Sequence, residues 1–263
     1  LYDRLKSGQI GELLTMRTYR QQGPVGFTGP NRSNLSELLW QIRNYLSFMW
    51  ASGGLVQDYV AHNVDECCWM KGAWPVRAQG SGGRTHRGSN VDQNFDHYDV
   101  EYTFDDGAKL LLYARNMSGC RYEFASYAHG TKGSAVISTN MHTPAKCRIY
   151  KGQDFAKDNL VWAFPQPEPN PYQVEWDELI DAIRHDTPYN EARRGTEAGL
   201  VTAMARRAVH IGQVVTYDEM LNCDEEFAPG VDELTMDSPA PVHPGPDGMY
   251  PAPRPGVFKN REY

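Results

Sequence analysis

The sequence has no glycine-rich loop suited to cradling a phosphate. No stretch fits G-x-G-x-x-G or G-x-x-x-x-G-K-[ST], and Gly80-Ser-Gly-Gly-Arg-Thr fails at its last glycine. Gly130-Thr-Lys-Gly133 reads as a turn between two strands, with no helix behind it to offer N–H groups to an anion. No apolar run approaches the roughly 20 residues that a bilayer span requires. Positive charge is also scarce: 26 Lys and Arg against 33 Asp and Glu leave a net charge of -7, and the basic residues are scattered. That balance argues against a nucleic-acid partner. The five cysteines (Cys67, Cys68, Cys120, Cys147, Cys223) are odd in number and form no C-x-x-C pair. Their spacing supports no zinc site, and neighbours on a helix point apart. They read as free thiols in a reducing compartment, the cytoplasm, with periplasmic export left open.

What remains is the composition of an ordinary globular chain, 40% hydrophobic and 22% charged over 263 residues. That length suits one large domain, or one domain with an appendage. Ile10 to Gln21 alternates as a strand. Asn34-Leu-Ser-Glu37 resembles a capping box that opens a helix with Leu35, Leu38, Leu39, Ile42 and Leu46 on one stripe, which Arg43 and Asn44 leave. A helix carrying Asp58 and His62 runs to about Lys71, closed by Gly72 and Pro75.

Residues 98–104 alternate, Asp105-Asp-Gly107 signals a hairpin, and 109–115 continues as the partner strand. Residues 122–128, 134–138 and 147–151 supply further strands. Strands in succession without helices between them predict an α+β fold, with a large mixed, mostly antiparallel sheet covered by helices on one face. Four prolines between 165 and 171 mark an extended linker. The Trp176, Leu179, Ile180 and Ile183 stripe beyond it reads as core. Residues 224–263 hold eight of the seventeen prolines and should be irregular, either wrapped over this chain or a neighbouring subunit, or partly disordered.

The densest chemistry lies in Ser52-Gly-Gly-Leu-Val-Gln-Asp58-Tyr-Val-Ala-His62-Asn-Val-Asp65. Four residues apart on a helix, a carboxylate and a histidine share one face about a turn apart. The glycine turn ahead of them lets another molecule approach the backbone. A carboxylate that orients or charges a histidine beside a cleft is a common way to build a proton-transfer site. The plain alternative is a helix start, with Asp58 as a first-turn acid and His62 half-buried.

This stretch resembles the GGG-x-L-x-D-x-G-x-H-x-x-D signature of the Gfo/Idh/MocA oxidoreductases. Gly53, Gly54, Asp58, His62 and Asp65 fall on its positions, while Ser52 and Val60 depart from it and Val60 predicts a regular helix. Four further segments look like the same family in order: Ser7-Gly-Gln-Ile-Gly-Glu-Leu13 at the entry, and 176–184, 190–199 and 214–221 as closing helices. The resemblance implies a family C-terminal domain over 1–223 with a proline-rich extension over 224–263. It implies a preceding NAD-binding Rossmann domain, with its Glu-Lys-Pro lysine, outside this sequence. The sheet would resemble the C-terminal domain of glyceraldehyde-3-phosphate dehydrogenase, with an open face that builds homodimers or homotetramers.

The implied function is the substrate-binding and catalytic-base portion of an oxidoreductase acting on a sugar, cyclitol or keto-sugar, with NAD or NADP held mainly by the missing domain. His62 would take the hydroxyl proton and Asp58 would orient it, and the fragment alone would be inactive. Two alternatives stay open. One is an NAD-assisted lyase or glycoside-cleaving enzyme working by transient oxidation and β-elimination. The other is a non-catalytic sugar-binding or oligomerisation module. Polyhydroxylated substrates need arginine, carboxylate and imidazole partners, because each hydroxyl both donates and accepts. Arg43, Asn44, Arg84, His86, His97 and Arg115 are the candidates, against the plain reading that the arginines pair with surface acids. His129, His142, His185, His210 and His243 have no context that singles them out and read as structural or exposed.

Overall fold

The computed structural model describes residues 1–30 and 34–263. Among them nine strands form one sheet: β1 (Leu13–Gln22), β2 (Arg77–Gly83), β3 (His97–Thr103), β4 (Lys109–Asn116), β5 (Glu123–Gly130), β6 (Gly133–Thr139), β7 (Arg148–Lys151), β8 (Leu160–Ala163) and β9 (Val215–Thr216). The spatial order is β8-β7-β6-β5-β1-β4-β3-β2-β9. Only β1 and β4 run parallel; the other pairs are antiparallel. The helices are α1 (Tyr2–Lys6), α2 (Glu37–Arg43), α3 (Met49–Ser52), α4 (Ala61–Lys71), α5 (Pro171–Arg184), α6 (Ala192–Ile211) and α7 (Tyr217–Leu221). The α+β sheet expected from the strand pattern is therefore present, and α4 and α6 pack on one face of it.

The pleat decides what each face holds. Met16 and Thr18 of β1, Tyr98, Val100 and Tyr102 of β3, and Leu110, Leu112 and Ala114 of β4 are buried under the helices. The helices answer with Val64 and Cys67 from α4 and Val201, Met204, Ala205, Ala208 and Val209 from α6. The alternate residues face the other way. There Tyr19 stacks on Tyr113 at 5.3 Å, and Arg17 lies over Tyr127 at 5.2 Å.

Several local expectations change. The glycine-rich stretch from Gly80 begins as strand β2, with α6 packed directly on it. A Cβ at Gly82 would stand 2.4 Å from the His97 carbonyl and 2.8 Å from Val209 Cγ1. Ser36, not Asn34, caps α2, accepting from the Leu39 N–H at 3.4 Å. The Trp176 stripe is not core in this chain. Trp176 is 61% and Ile183 67% exposed, and Ala182 is the buried residue of α5.

The tail is irregular, apart from a single 3-10 turn at Val231–Glu233, and packs on its own chain. Tyr250 and Val242 join Trp40 and Phe48 in a second apolar cluster. Near its end, Glu262 is buried at 1% exposure. Its carboxylate accepts from Arg206 at 3.0 Å and lies 2.6 Å from His210 Nδ1, whose Nε2 in turn meets the Tyr98 hydroxyl at 2.9 Å.

Candidate active site

The glycine pair builds the entry to the site. Gly53 and Gly54 have φ of +72° and +77°, a region L side chains rarely adopt. A Cβ on Gly54 would also press on Met49 Sδ at 2.7 Å. Ser52, where the family signature has glycine, closes the turn instead, its hydroxyl accepting from the Gly54 N–H at 3.0 Å. Buried Asn94 braces the turn from β3's approach: its Oδ1 accepts from the Leu55 N–H at 3.1 Å. Behind the turn, Arg206 Nη1 donates to the Gly53 carbonyl at 3.2 Å.

The next residues, Val56–Val60, form a π-turn rather than the regular helix that Val60 predicted, and α4 starts only at Ala61. Asp58 and His62 are both exposed, and no hydrogen bond joins them among the described residues. π-turns inside helices recur at functional sites, where the extra residue re-aims a side chain.

A different group of side chains surrounds His62. Glu66, one turn further along α4, reaches the sheet, where its Oε1 accepts from Ser138 at 2.8 Å and also from Ser126. Its Oε2 lies 3.3 Å from His142 Nδ1, in the loop after β6. The His142 ring stands 5.1 Å from His62 and 4.3 Å, edge on, from Phe124. Asn63 ties α4 to the sheet beside them, donating to Thr18 Oγ1 at 2.9 Å. On β1, Arg20 lies with its guanidinium 3.7 Å from the Phe124 ring and 4.9 Å from Tyr59. Its Nε and Nη1 are buried and meet no acceptor among the described residues.

The electrostatics follow from these walls. His62 keeps an open face to solvent, yet its pKa is lowered, first by partial desolvation and then by His142 and Arg20. It is therefore neutral at pH 7 and able to take a proton. Desolvation also lowers the Arg20 pKa, although that group stays charged. Asp65 is raised by burial, which outweighs Arg194 Nη2 at 2.6 Å.

The six candidate substrate ligands do not converge here. Arg84 is committed to Asp92 at 3.3 Å and to the Asn94 carbonyl. His86 holds Asp96 through its backbone N–H, and its ring is exposed. His97 binds Asp96 at 2.9 Å. Burial raises the Asp96 pKa, but the bonds from His97, the His86 N–H and Thr85 outweigh it and leave it lowered. His97 and Arg115 pair across β3 and β4 on the sheet face opposite the helices, so they cannot join His62. Arg43 is exposed at the end of α2, and Asn44 donates to the Trp40 carbonyl at 2.8 Å. No hydrogen bond, ion pair or ring contact joins any of the six to His62 or Asp58 among the described residues.

The sequence reading missed Arg20, Glu66 and His142. Glu66 carried a signal, the four-residue step from His62. Arg20 shares the parity of Met16 and Thr18, which places it on the helix-covered face. His142, read as structural or exposed, reaches His62 only through the sheet's strand order. No group of three or more His, Cys, Asp or Glu side chains among the described residues is arranged to hold a metal ion, and none of their helices is long and apolar enough to cross a membrane.

A family model for the GFO/IDH/MocA C-terminal domain matches residues 1–136. A search of curated proteins found no sequence match. Among solved structures, the aldose-aldose oxidoreductase of Caulobacter crescentus complexed with glycerol aligns with a TM-score of 0.61 at 17% identity, over 82% of this chain and 58% of that one. Apo levoglucosan dehydrogenase aligns with a TM-score of 0.61 at 17% identity, over 82% and 62%. A putative myo-inositol dehydrogenase of Sinorhizobium meliloti 1021 aligns with a TM-score of 0.54 at 16% identity, over 82% and 60%. At such identities the likeness concerns the fold, and the chain spans about three fifths of these structures' length. With its family match over 136 of 263 residues, the chain belongs to the Gfo/Idh/MocA family.

Proposed function

We propose that this chain is the substrate-binding and catalytic-base portion of an NAD(P)-dependent oxidoreductase that acts on a sugar, cyclitol or keto-sugar. The observation that carries the reading is His62 itself: an open-faced imidazole with a lowered pKa, beside a guanidinium with unpaired donors. The family's solved structures support it, since levoglucosan dehydrogenase is seen in complex with NADH and levoglucosan. Nothing among the described residues builds a pyrophosphate cradle; Gly130 and Gly133 turn between β5 and β6 with no helix after them. This chain's residues therefore fit the reacting end of such a site, and the dinucleotide would be held elsewhere. When bound, the nicotinamide supplies the hydride acceptor.

What the chain does is move and hold protons. His62, neutral at pH 7, takes the proton of the substrate hydroxyl. Arg20 attracts the oxygen left with negative charge, and Asp58 favours the charged imidazole from a distance. A positioned base contributes about 10²–10⁴-fold. In the full-length protein, His62→Ala should lower kcat far more than it weakens cofactor binding. Near-normal turnover would make the histidine structural.

A second reading has one observation in its favour. His142, paired with Glu66, places a second imidazole 5.1 Å from the first. Two bases suit an oxidation followed by β-elimination, in which one takes a hydroxyl proton and the other a C–H proton. Product analysis separates the two: net NADH formation marks the dehydrogenase, and cleavage without it marks the lyase. The open sheet face, with Tyr19, Tyr113 and Tyr127, is proposed to join copies of the chain into a homodimer or homotetramer.

A further inference from the structure

Five partly or fully buried guanidinium groups of this molecule are matched by carboxylates. Arg194 closes on Asp65, Arg206 on Glu262, Arg207 on Glu225, and Arg84 and Arg87 on Asp92. Arg20 has no such partner among the described residues. Of the two carboxylates whose charge reaches it, Glu66 already accepts from Ser126 and Ser138 and faces His142. Asp58 adds attraction from the surface but makes no hydrogen bond to it.

Leaving charged donors buried and unpaired is costly, and a ligand that completes them is one way a native structure offsets that cost. The Arg20 side chain is also held in place. Phe124 and Tyr59 cover it at 3.7 and 4.9 Å, so its bonds must be accepted in the guanidinium plane, at the edge. A fork of fixed donors matches two oxygens held close together, on one carboxylate carbon or on two neighbouring carbons, which a single hydroxyl does not supply. The chain of contacts Arg20–Phe124–His142–His62 places the guanidinium and the base around the same two rings.

We propose that Arg20 anchors the substrate of this site through an adjacent pair of oxygen atoms, either a carboxylate or two neighbouring hydroxyls, and so decides which carbon is held against His62. For its reaction this rests on the oxidoreductase reading above; for binding it stands without that reading.

The test uses the full-length protein with NAD or NADP, and D-glucuronate, D-glucose, myo-inositol and 2-deoxy-D-glucose as probes. Calorimetry measures binding, and NADH formation measures turnover. Arg20→Met keeps an apolar stem between Phe124 and Tyr59; Arg20→Lys keeps the charge and loses the fork. In Arg20→Met the affinity for the best probe should fall about 10–100-fold, with partial recovery in Arg20→Lys and thermal stability maintained. If the carboxylate is the anchor, wild type prefers glucuronate to glucose and the variant loses that preference. If a diol is the anchor, glucose loses affinity and the 2-deoxy sugar does not. The acidic limb of kcat/KM should also move to higher pH in Arg20→Met, because the neighbouring positive charge no longer lowers the His62 pKa.

Equal binding of every probe by wild type and Arg20→Met overturns the anchor, as does a wild type that binds none of them. Arg20-dependent binding with no turnover of any probe would sink the oxidoreductase reading and leave the anchor standing. Unchanged turnover and regiochemistry in Arg20→Met would sink the anchor alone.

Discussion

Glu262→Ala should be among the most destabilising single substitutions in this chain, although it lies one residue from the end. The carboxylate is 1% exposed and held by Arg206 Nε at 3.0 Å, Arg206 Nη2 at 3.0 Å and His210 Nδ1 at 2.6 Å. Removing it leaves the Arg206 charge buried with the Gly53 carbonyl as its one remaining hydrogen-bond acceptor among the described residues. Breaking a buried pair from one side costs about 3–5 kcal/mol, because the surviving charge is uncompensated. For a domain of this size that is a fall in Tm of about 6–20 °C. Differential scanning calorimetry measures it directly. Arg206→Met with Glu262→Met removes both charges and should recover much of the loss, since replacing a buried pair with apolar groups is often near neutral. A drop of less than about 2 °C for Glu262→Ala would refute the reasoning. So would a double variant no better than the single one.

The same cluster sets an acid limit. Arg206 and His210 outweigh burial and hold Glu262 at about 2, below its ordinary 4.5, so its contribution is complete above pH 4.5 and fades as pH falls toward 2. Burial holds His210 below its ordinary 6.5 against the pull of Glu262, so its contribution is complete above pH 6.5 and begins to fade below it. Stability measured against pH should be flat above 6.5 and decline on the acid side, and a chain more stable at pH 4 than at pH 7 would contradict this. On the proposed function, the acidic limb of kcat/KM in the full-length protein should lie below pH 6.5, where His62 protonates, and His62→Ala should flatten it. Gly82→Ala should cost about 1–3 kcal/mol, because the new methyl would press on the His97 carbonyl and Val209; an unchanged Tm would mean β2 yields easily. Tyr113→Glu on the open sheet face should shift the proposed oligomer toward monomer in light scattering, and no change in mass would remove that face from the interface.

Much of the fold was legible in local sequence. Tyr98, Val100 and Tyr102, then Leu110 and Leu112, alternate because a sheet buries every second residue, and Asp105-Asp-Gly107 turns between them. The glycine pair at 53–54 was equally readable, since both positions need a left-handed backbone. Strand β2 was not, because its glycines answer to Val209 more than a hundred residues away. The apolar stripe of α5 was visible, but its sequence does not say what it faces; in this chain Trp176 and Ile183 face outward.

The candidate site divides in the same way. His62, Asp58 and Glu66 lie within nine residues on one turn and helix, so spacing alone brings them to notice. Arg20 and His142 come from β1 and from the loop after β6. They meet His62 because β5 lies between β1 and β6 and sets Phe124 against both. Spacing along the chain determines which side chains share a helix or strand face, while contact across strands depends on sheet order and register, which only the folded chain decides.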